Sequence, residues 1–258
     1  MPQTTYERRP WVSAGRLVES TVPAKLAAAL ELEGGQPAAF APFVDGTELA
    51  WRVTVDETVD ADASNVRNIK HRPATDDASE QHTLRVPVVL AAMSGLTRLI
   101  KGESATLTYK EAAAGFRFTM WPPLHPWTPP TDEPFLDVPT TTSQLVELPD
   151  VYYVEVPTEQ ARALELAAGD AVAWRLTIRD GAVAVVADCD VDAVEVDAPH
   201  VRRVQSHMSG AEGREIEQFR LYIPAAAVDA LGWQDADLRV AVEHNRLVLS
   251  RPSAGIKE

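Results

Sequence analysis

The sequence predicts a mainly β protein with short helices, built from four tandem strand–helix–hairpin repeats. Three observations predict it. A branched apolar residue precedes Pro at Val22-Pro23, Val86-Pro87, Val156-Pro157 and Ile223-Pro224, and these prolines are 64, 70 and 67 residues apart. A short amphipathic run follows each of the four. A pair of apolar runs around a tight-turn signal then follows each of those runs. A fifth pair, Val138-Pro139, has no helical pattern after it.

Each repeat opens with a strand. A β-branched residue before Pro is held extended, so the strand ends there. The helix comes next, because Pro suits a first turn where its missing N–H is not needed. Four residues after Pro stand Ala27, Ala91, Ala161 and Val228, and seven after stand Leu30, Leu164 and Leu231, with Ser94 in the second repeat. Residues at that spacing share one helix face. The helix is about two turns long and ends near plus eight. Gly35, Gly169 and Gly232 suit C-terminal turns that need positive φ.

The hairpin closes each repeat. In the first, AAFAPFV and LAWRVTV flank Asp45-Gly46; in the third, AVAWRLTI and AVAVVA flank Asp180-Gly181. Asp-Gly between alternating runs is a strong hairpin signal. In the fourth, LRVAVE and RLVLS flank His244-Asn245, and in the second, SATLTY and FRFTMW flank a stretch holding Gly115. The second repeat fits with about three extra residues near Thr97 to Leu99.

Between repeats two and three, WPPLHPWTPPTDEP (121–134) holds six prolines. Such a run reads as an extended, semi-rigid connector. The expected organisation is one domain over 1–122, a connector over 123–149 and a second domain over 150–258. Residues 56–81 and 197–216 are expected to be exposed polar connections.

Composition narrows the function. The chain has 258 residues, with 24 Lys+Arg against 38 Asp+Glu and a net charge of −14. Hydrophobic residues make up 45% and charged residues 24%, as in a globular protein. No apolar run approaches the roughly 20 residues of a membrane helix, and MPQTTYERRPW lacks the apolar core of a signal peptide. The expected location is the cytoplasm, away from membranes. Five Lys stand against nineteen Arg, and Ala is abundant. Acidic, Lys-poor, Ala-rich chains resemble proteins of salt-accumulating archaea, where a Debye length of about 3 Å at 1 M salt screens self-repulsion.

Signatures of catalysis are missing from the sequence: there is no P-loop, GxGxxG, GxSxG or HExxH. No catalytic residue, cofactor or metal is expected, and the chain is not read as an enzyme. The six histidines are scattered in sequence, and His200 and His207 read as a solvated pair. Asp188-Cys189-Asp190-Val191-Asp192 starts like a calcium loop but has Pro199 at the twelfth position, so it reads as an acidic strand end. The single cysteine, Cys189, excludes an intrachain disulfide and reads as an inert thiol. Trp51, Trp174 and Trp233 read as core.

The repeats resemble a known family. RLYIPAAAVDALGWQDADLRVAVEHNRLVLSRP, the fourth repeat, is similar to AbrB/SpoVT/MazE-type swapped-hairpin domains. The third carries Val156-Pro157, Ala163-Leu164-Glu165-Leu166 and Gly169-Asp170, and the first carries Val22-Pro23, Ala29-Leu30-Glu31-Leu32 and Gly35. In that family two copies interlock into one barrel. The resemblance therefore implies two β-barrels within one chain, repeats one with two and three with four.

The family touches DNA through Arg and Lys in the first strand and the loop before it. The resemblance implies double-stranded DNA as partner and, as contacts, Arg8, Arg9 and Arg16 before the first repeat. It adds Arg72 and Arg85 before the second, and Arg202, Arg203, Arg214 and Arg220 before the fourth. Arg67, Lys70 and His71 belong to the second cluster; LPDVYY, before the third repeat, has no basic residue. Two functions follow: a DNA-binding transcriptional regulator, or a protein-interaction or assembly module that has lost DNA binding. The second includes a protein partner or further copies of the chain in a homo-oligomer.

Overall fold

The computed structural model describes residues 4–252 apart from 15, 77, 103, 125, 129–137, 150, 192–195 and 212–215. The protein is mainly β, with nineteen strands and five short helices among the described residues. Every strand pairing between them is antiparallel. Among them no helix is long and apolar enough to cross a membrane. The chain forms two compact units that divide between residues 125 and 126, with Asp229–Leu231 grouped with the first.

The first unit begins with β1 (Thr5–Arg8), β2 (Trp11–Ser13), β3 (Leu17–Thr21) and α1 (Ala24–Ala29). A hairpin of β4 (Pro37–Asp45) and β5 (Glu48–Thr54) follows, then β6 (Val66–Asn68) and β7 (Lys70–Arg72). The second repeat supplies β8 (Gln81–Arg85), α2 (Val88–Met93), α3 (Leu96–Gly102) and the hairpin β9 (Thr106–Ala112) with β10 (Gly115–Trp121). These strands make two sheets, ordered β1-β9-β10-β5-β4-β6 and β2-β3-β8-β7. The two hairpins join through β5 and β10, with Trp51 opposite Phe118. The two first strands join through β3 and β8, with Ser20 opposite Leu84. Helix α1 packs on β8 and α2 packs on β3, so each repeat's helix covers the other repeat's first strand. Trp51, Tyr109, Phe40, Phe116 and Phe118 fill the core.

The second unit contains β11 (Thr141–Leu148), β12 (Val151–Val156), α4 (Thr158–Ala163), β13 (Ala171–Arg179) and β14 (Ala182–Asp188). It continues with β15 (Val201–Arg203), β16 (Gln205–Ser209), β17 (Ile216–Ile223), α5 (Ala225–Leu231), β18 (Asp237–Glu243) and β19 (Arg246–Ser250). All nine strands form one sheet, ordered β15-β13-β14-β19-β18-β11-β12-β17-β16. Strand β15 comes back against β17, so the sheet is a nearly closed barrel. Trp174, Leu176, Val185, Leu238 and Leu249 are buried in it.

The two units repeat one pairing order. Pro23 and Pro157, Pro37 and Ala171, and Glu48 and Ala182 are each 134 residues apart. Strand β11 holds the place of β1 and β2 together: its first half pairs with β18 and its second half with β12. In the first unit that path is broken at Arg9-Pro10. Pro has no N–H to give a ladder, so β1 and β2 enter separate sheets. Two barrels are expected from the resemblance; one nearly closed barrel and one split pair of sheets are found. Helix α3 has no counterpart in the second unit among the described residues, and it accounts for the extra length of the second repeat.

Three further expectations change. The connector expected over 123–149 contains β11, which bridges β12 and β18. The polar stretches 56–81 and 197–216 each carry two short strands, β6 with β7 and β15 with β16. The positive φ after each helix falls at plus eight in all four repeats, on Glu31 (48°), Gly95 (74°), Glu165 (49°) and Gly232 (60°). Gly35 and Gly169 serve the next turn instead.

Candidate nucleic-acid interface

Alternate residues of a strand face the same side of its sheet. In the sheet β2-β3-β8-β7, Val18, Ser20, His82 and Leu84 turn toward the core. The other face is set by register. Glu19 lies opposite both Trp11 and Arg85, Thr83 lies opposite both Thr21 and Lys70, and Arg72 lies opposite Gln81. Lys70, Arg72 and Arg85 therefore share one outer face, and Glu19 is the only carboxylate among its strand residues.

Glu19 is covered by its partners. Lys70 Nζ donates to its Oε1 at 2.7 Å and Arg85 Nε at 3.0 Å. Burial alone would raise this carboxyl, but hydrogen bonds from Lys70, Ser13 and Arg85 outweigh it and hold the pKa at about 2. The carboxylate orders Lys70 and Arg85 on the face while cancelling one of their two charges.

The expected contact residues of this unit divide. Arg9 lies between β1 and β2, Arg16 between β2 and β3, and Arg72 on β7; all three are exposed. None has an ion pair among the described residues. Arg85 is paired as above. Arg8 ends β1 in the other sheet, opposite Leu107, and donates to the Glu7 carbonyl at 2.7 Å. Lys70, already in the second basic cluster, and Glu19, which does not stand out in sequence, complete the arrangement. Their signal is alternation, which puts Lys70 on the side of Arg72, and a register that sequence spacing does not reveal.

In the second unit the same face has different chemistry. Tyr153 opposite Tyr222 holds the place of Glu19 opposite Arg85, with ring centroids 5.7 Å apart. Two residues along, Arg220 donates to Glu155 at 3.1 Å, meets His207 Nε2 at 3.2 Å and lies over the Tyr153 ring at 4.8 Å. Arg202 donates to the Pro199 and Val201 carbonyls at 3.0 and 2.8 Å, and burial lowers its pKa. Arg67 does the same for Ser64 and Val66 in the first unit, also with a lowered pKa. These two arginines cap equivalent turns. Arg203 donates to the Gly169 carbonyl at 2.9 Å. Arg202, Arg203 and Arg220 are thus each hydrogen-bonded within the second unit, and of the three Arg220 is the one paired with a carboxylate among the described residues. Arg214 lies outside the described residues.

Other singled-out residues are structural. Asp188 ends β14 and binds Arg246 Nε at 2.9 Å and Arg175 Nε at 3.3 Å. Burial, with Asp188 and Asp170 nearby, pushes the Cys189 thiol up to about 12, away from nucleophilic use. Trp51, Trp174 and Trp233 are fully buried. In comparisons with known proteins, no family model matches the chain, and no curated protein or solved structure matches it.

Proposed function

We propose that the protein is a DNA-binding regulator that grips duplex DNA with the outer face of the β2-β3-β8-β7 sheet. One observation carries the reading. Lys70, Arg72 and Arg85 share that face with a single carboxylate, and exposed Arg9 and Arg16 stand at its turns. Guanidinium forks suit phosphates and guanine edges. The rest of a chain at −14 repels DNA, which favours one docking orientation. The reciprocal packing of helices on first strands supports kinship with AbrB-like swapped-hairpin domains. The second unit, whose equivalent face carries the Tyr pair and a neutralised Arg220, adds no phosphate contacts.

Fluorescence anisotropy with mixed-sequence duplex DNA tests this across a salt series. Log affinity is expected to fall linearly with log salt, with a slope of about −3 to −4 for four phosphate contacts. Arg72→Ala weakens binding and makes the slope shallower by about one. Arg220→Ala leaves both unchanged. No binding at the lowest salt that keeps the protein folded rejects the reading.

A second reading, docking by strand addition, has its own observation. Strand β16 ends the sheet of the second unit, and Met208 and Ile216 are exposed beside it. An added strand would pair there. That role requires Met208→Glu to abolish self-association in sedimentation velocity while DNA affinity stays intact.

A further inference from the structure

The hairpin β7–β8 carries a second constellation on the face opposite Lys70 and Arg72. His71 lies directly across from His82 in the ladder, and their rings stack with centroids 4.8 Å apart. Glu80 stands two residues before His82, so the alternation of an extended chain brings both to one side. His71 Nε2 lies 2.8 Å from Glu80 Oε1. One donor atom from each of the three residues lies within 4.8 Å of the others.

Two features show that the cluster is built in. His82 is 8% exposed, and its ring has no hydrogen-bond partner among the described residues. His71 is fixed from behind by Gly34: a Cβ there would come 2.6 Å from the His71 Cβ. Only glycine lets the backbone lie so close. The second unit has the same hairpin but places Ser206 opposite Phe219 at the equivalent rung, so the donors are confined to one unit.

We infer that His71, Glu80 and His82 bind one divalent transition cation of the zinc class. Two imidazoles and a carboxylate are a zinc donor set, and the nitrogens disfavour calcium and magnesium. Donors on a tetrahedral zinc stand about 3.4 Å apart, inside the 4.8 Å within which these three donor atoms lie. His71 and Glu80 reach solvent, which leaves the fourth position to water. The cation would clip β7 to β8. The inference is independent of DNA binding and uses none of the face's cations.

Isothermal titration of the full-length, tag-free, chelator-washed chain with zinc chloride tests it. One cation per chain is expected, with affinity reduced about tenfold or more in His71→Ala. Cobalt(II) should give a four-coordinate d–d spectrum that the same variant loses. His207→Ala, in the second unit, should change neither. Should His71→Ala lose its folded circular dichroism, Glu80→Gln at the exposed carboxylate carries the same comparison. Absence of stoichiometric uptake, or uptake indifferent to these substitutions, overturns the assignment.

Discussion

Glu19 shows how one side chain sets a local charge balance. Its carboxyl titrates at about 2 in the folded protein against 4.5 ordinarily. A lowered folded value means stability that is present above pH 4.5 and drains away as pH falls toward 2. That contribution is about 2–3 kcal/mol after allowing for the half-exposed Lys70. Urea midpoints across this range should fall for the native protein and stay flatter for Glu19→Gln. The buried Asp188–Arg246 pair makes the opposite kind of case. Asp188→Asn leaves a buried guanidinium short of its counter-charge, at a cost of about 3–5 kcal/mol in urea unfolding. Sequence made the arginine clusters visible as residue types. It did not reveal which of them meet a carbonyl or a carboxylate, because Glu155 and Arg220 lie 65 residues apart. His71 and His82 were hidden for the same reason: only a ladder makes them neighbours.

At the scale of elements, each short helix ends on a left-handed residue at the same position. Glutamate fills it twice, at Glu31 and Glu165, although a side chain makes that conformation unfavourable. Glu31→Gly should raise stability by about 0.5–1 kcal/mol, and Gly232→Ala should lower it by about as much in thermal unfolding. Gly115 is under a tighter constraint. A Cβ would stand 2.1 Å from the Val53 carbonyl oxygen, so Gly115→Ala should cost about 3 kcal/mol. Its rung, opposite Thr54, corresponds to Arg246 opposite Asp188 in the other unit. One place in the ladder is filled by backbone proximity in one unit and by an ion pair in the other. Helix starts and hairpin turns were legible because Pro, Asp-Gly and Gly act locally. The short strands β6, β7, β15 and β16 were not, since three to five polar residues carry no period.

At the scale of the molecule, the fourfold spacing is overlaid by a closer twofold one. The 134-residue interval holds from the first helix through the first hairpin. Repeats were readable from their prolines, whereas the continuity of β11 and the break at Pro10 depend on which N–H groups a distant strand can use. If the units unfold separately, their core lesions should not interact. The destabilisations of Gly115→Ala and Asp188→Asn should add within about 0.5 kcal/mol in the double variant.

Thr5 pairs with Lys110 and Thr141 with Val240, so each unit's opening strand meets its closing hairpin. On the ribosome, that opening strand must wait about 5–20 s for its mate at ordinary elongation speed. Each half of the polypeptide zips shut in one late step. A stop codon placed just ahead of either final hairpin would leave almost an entire half translated yet without its edge partner.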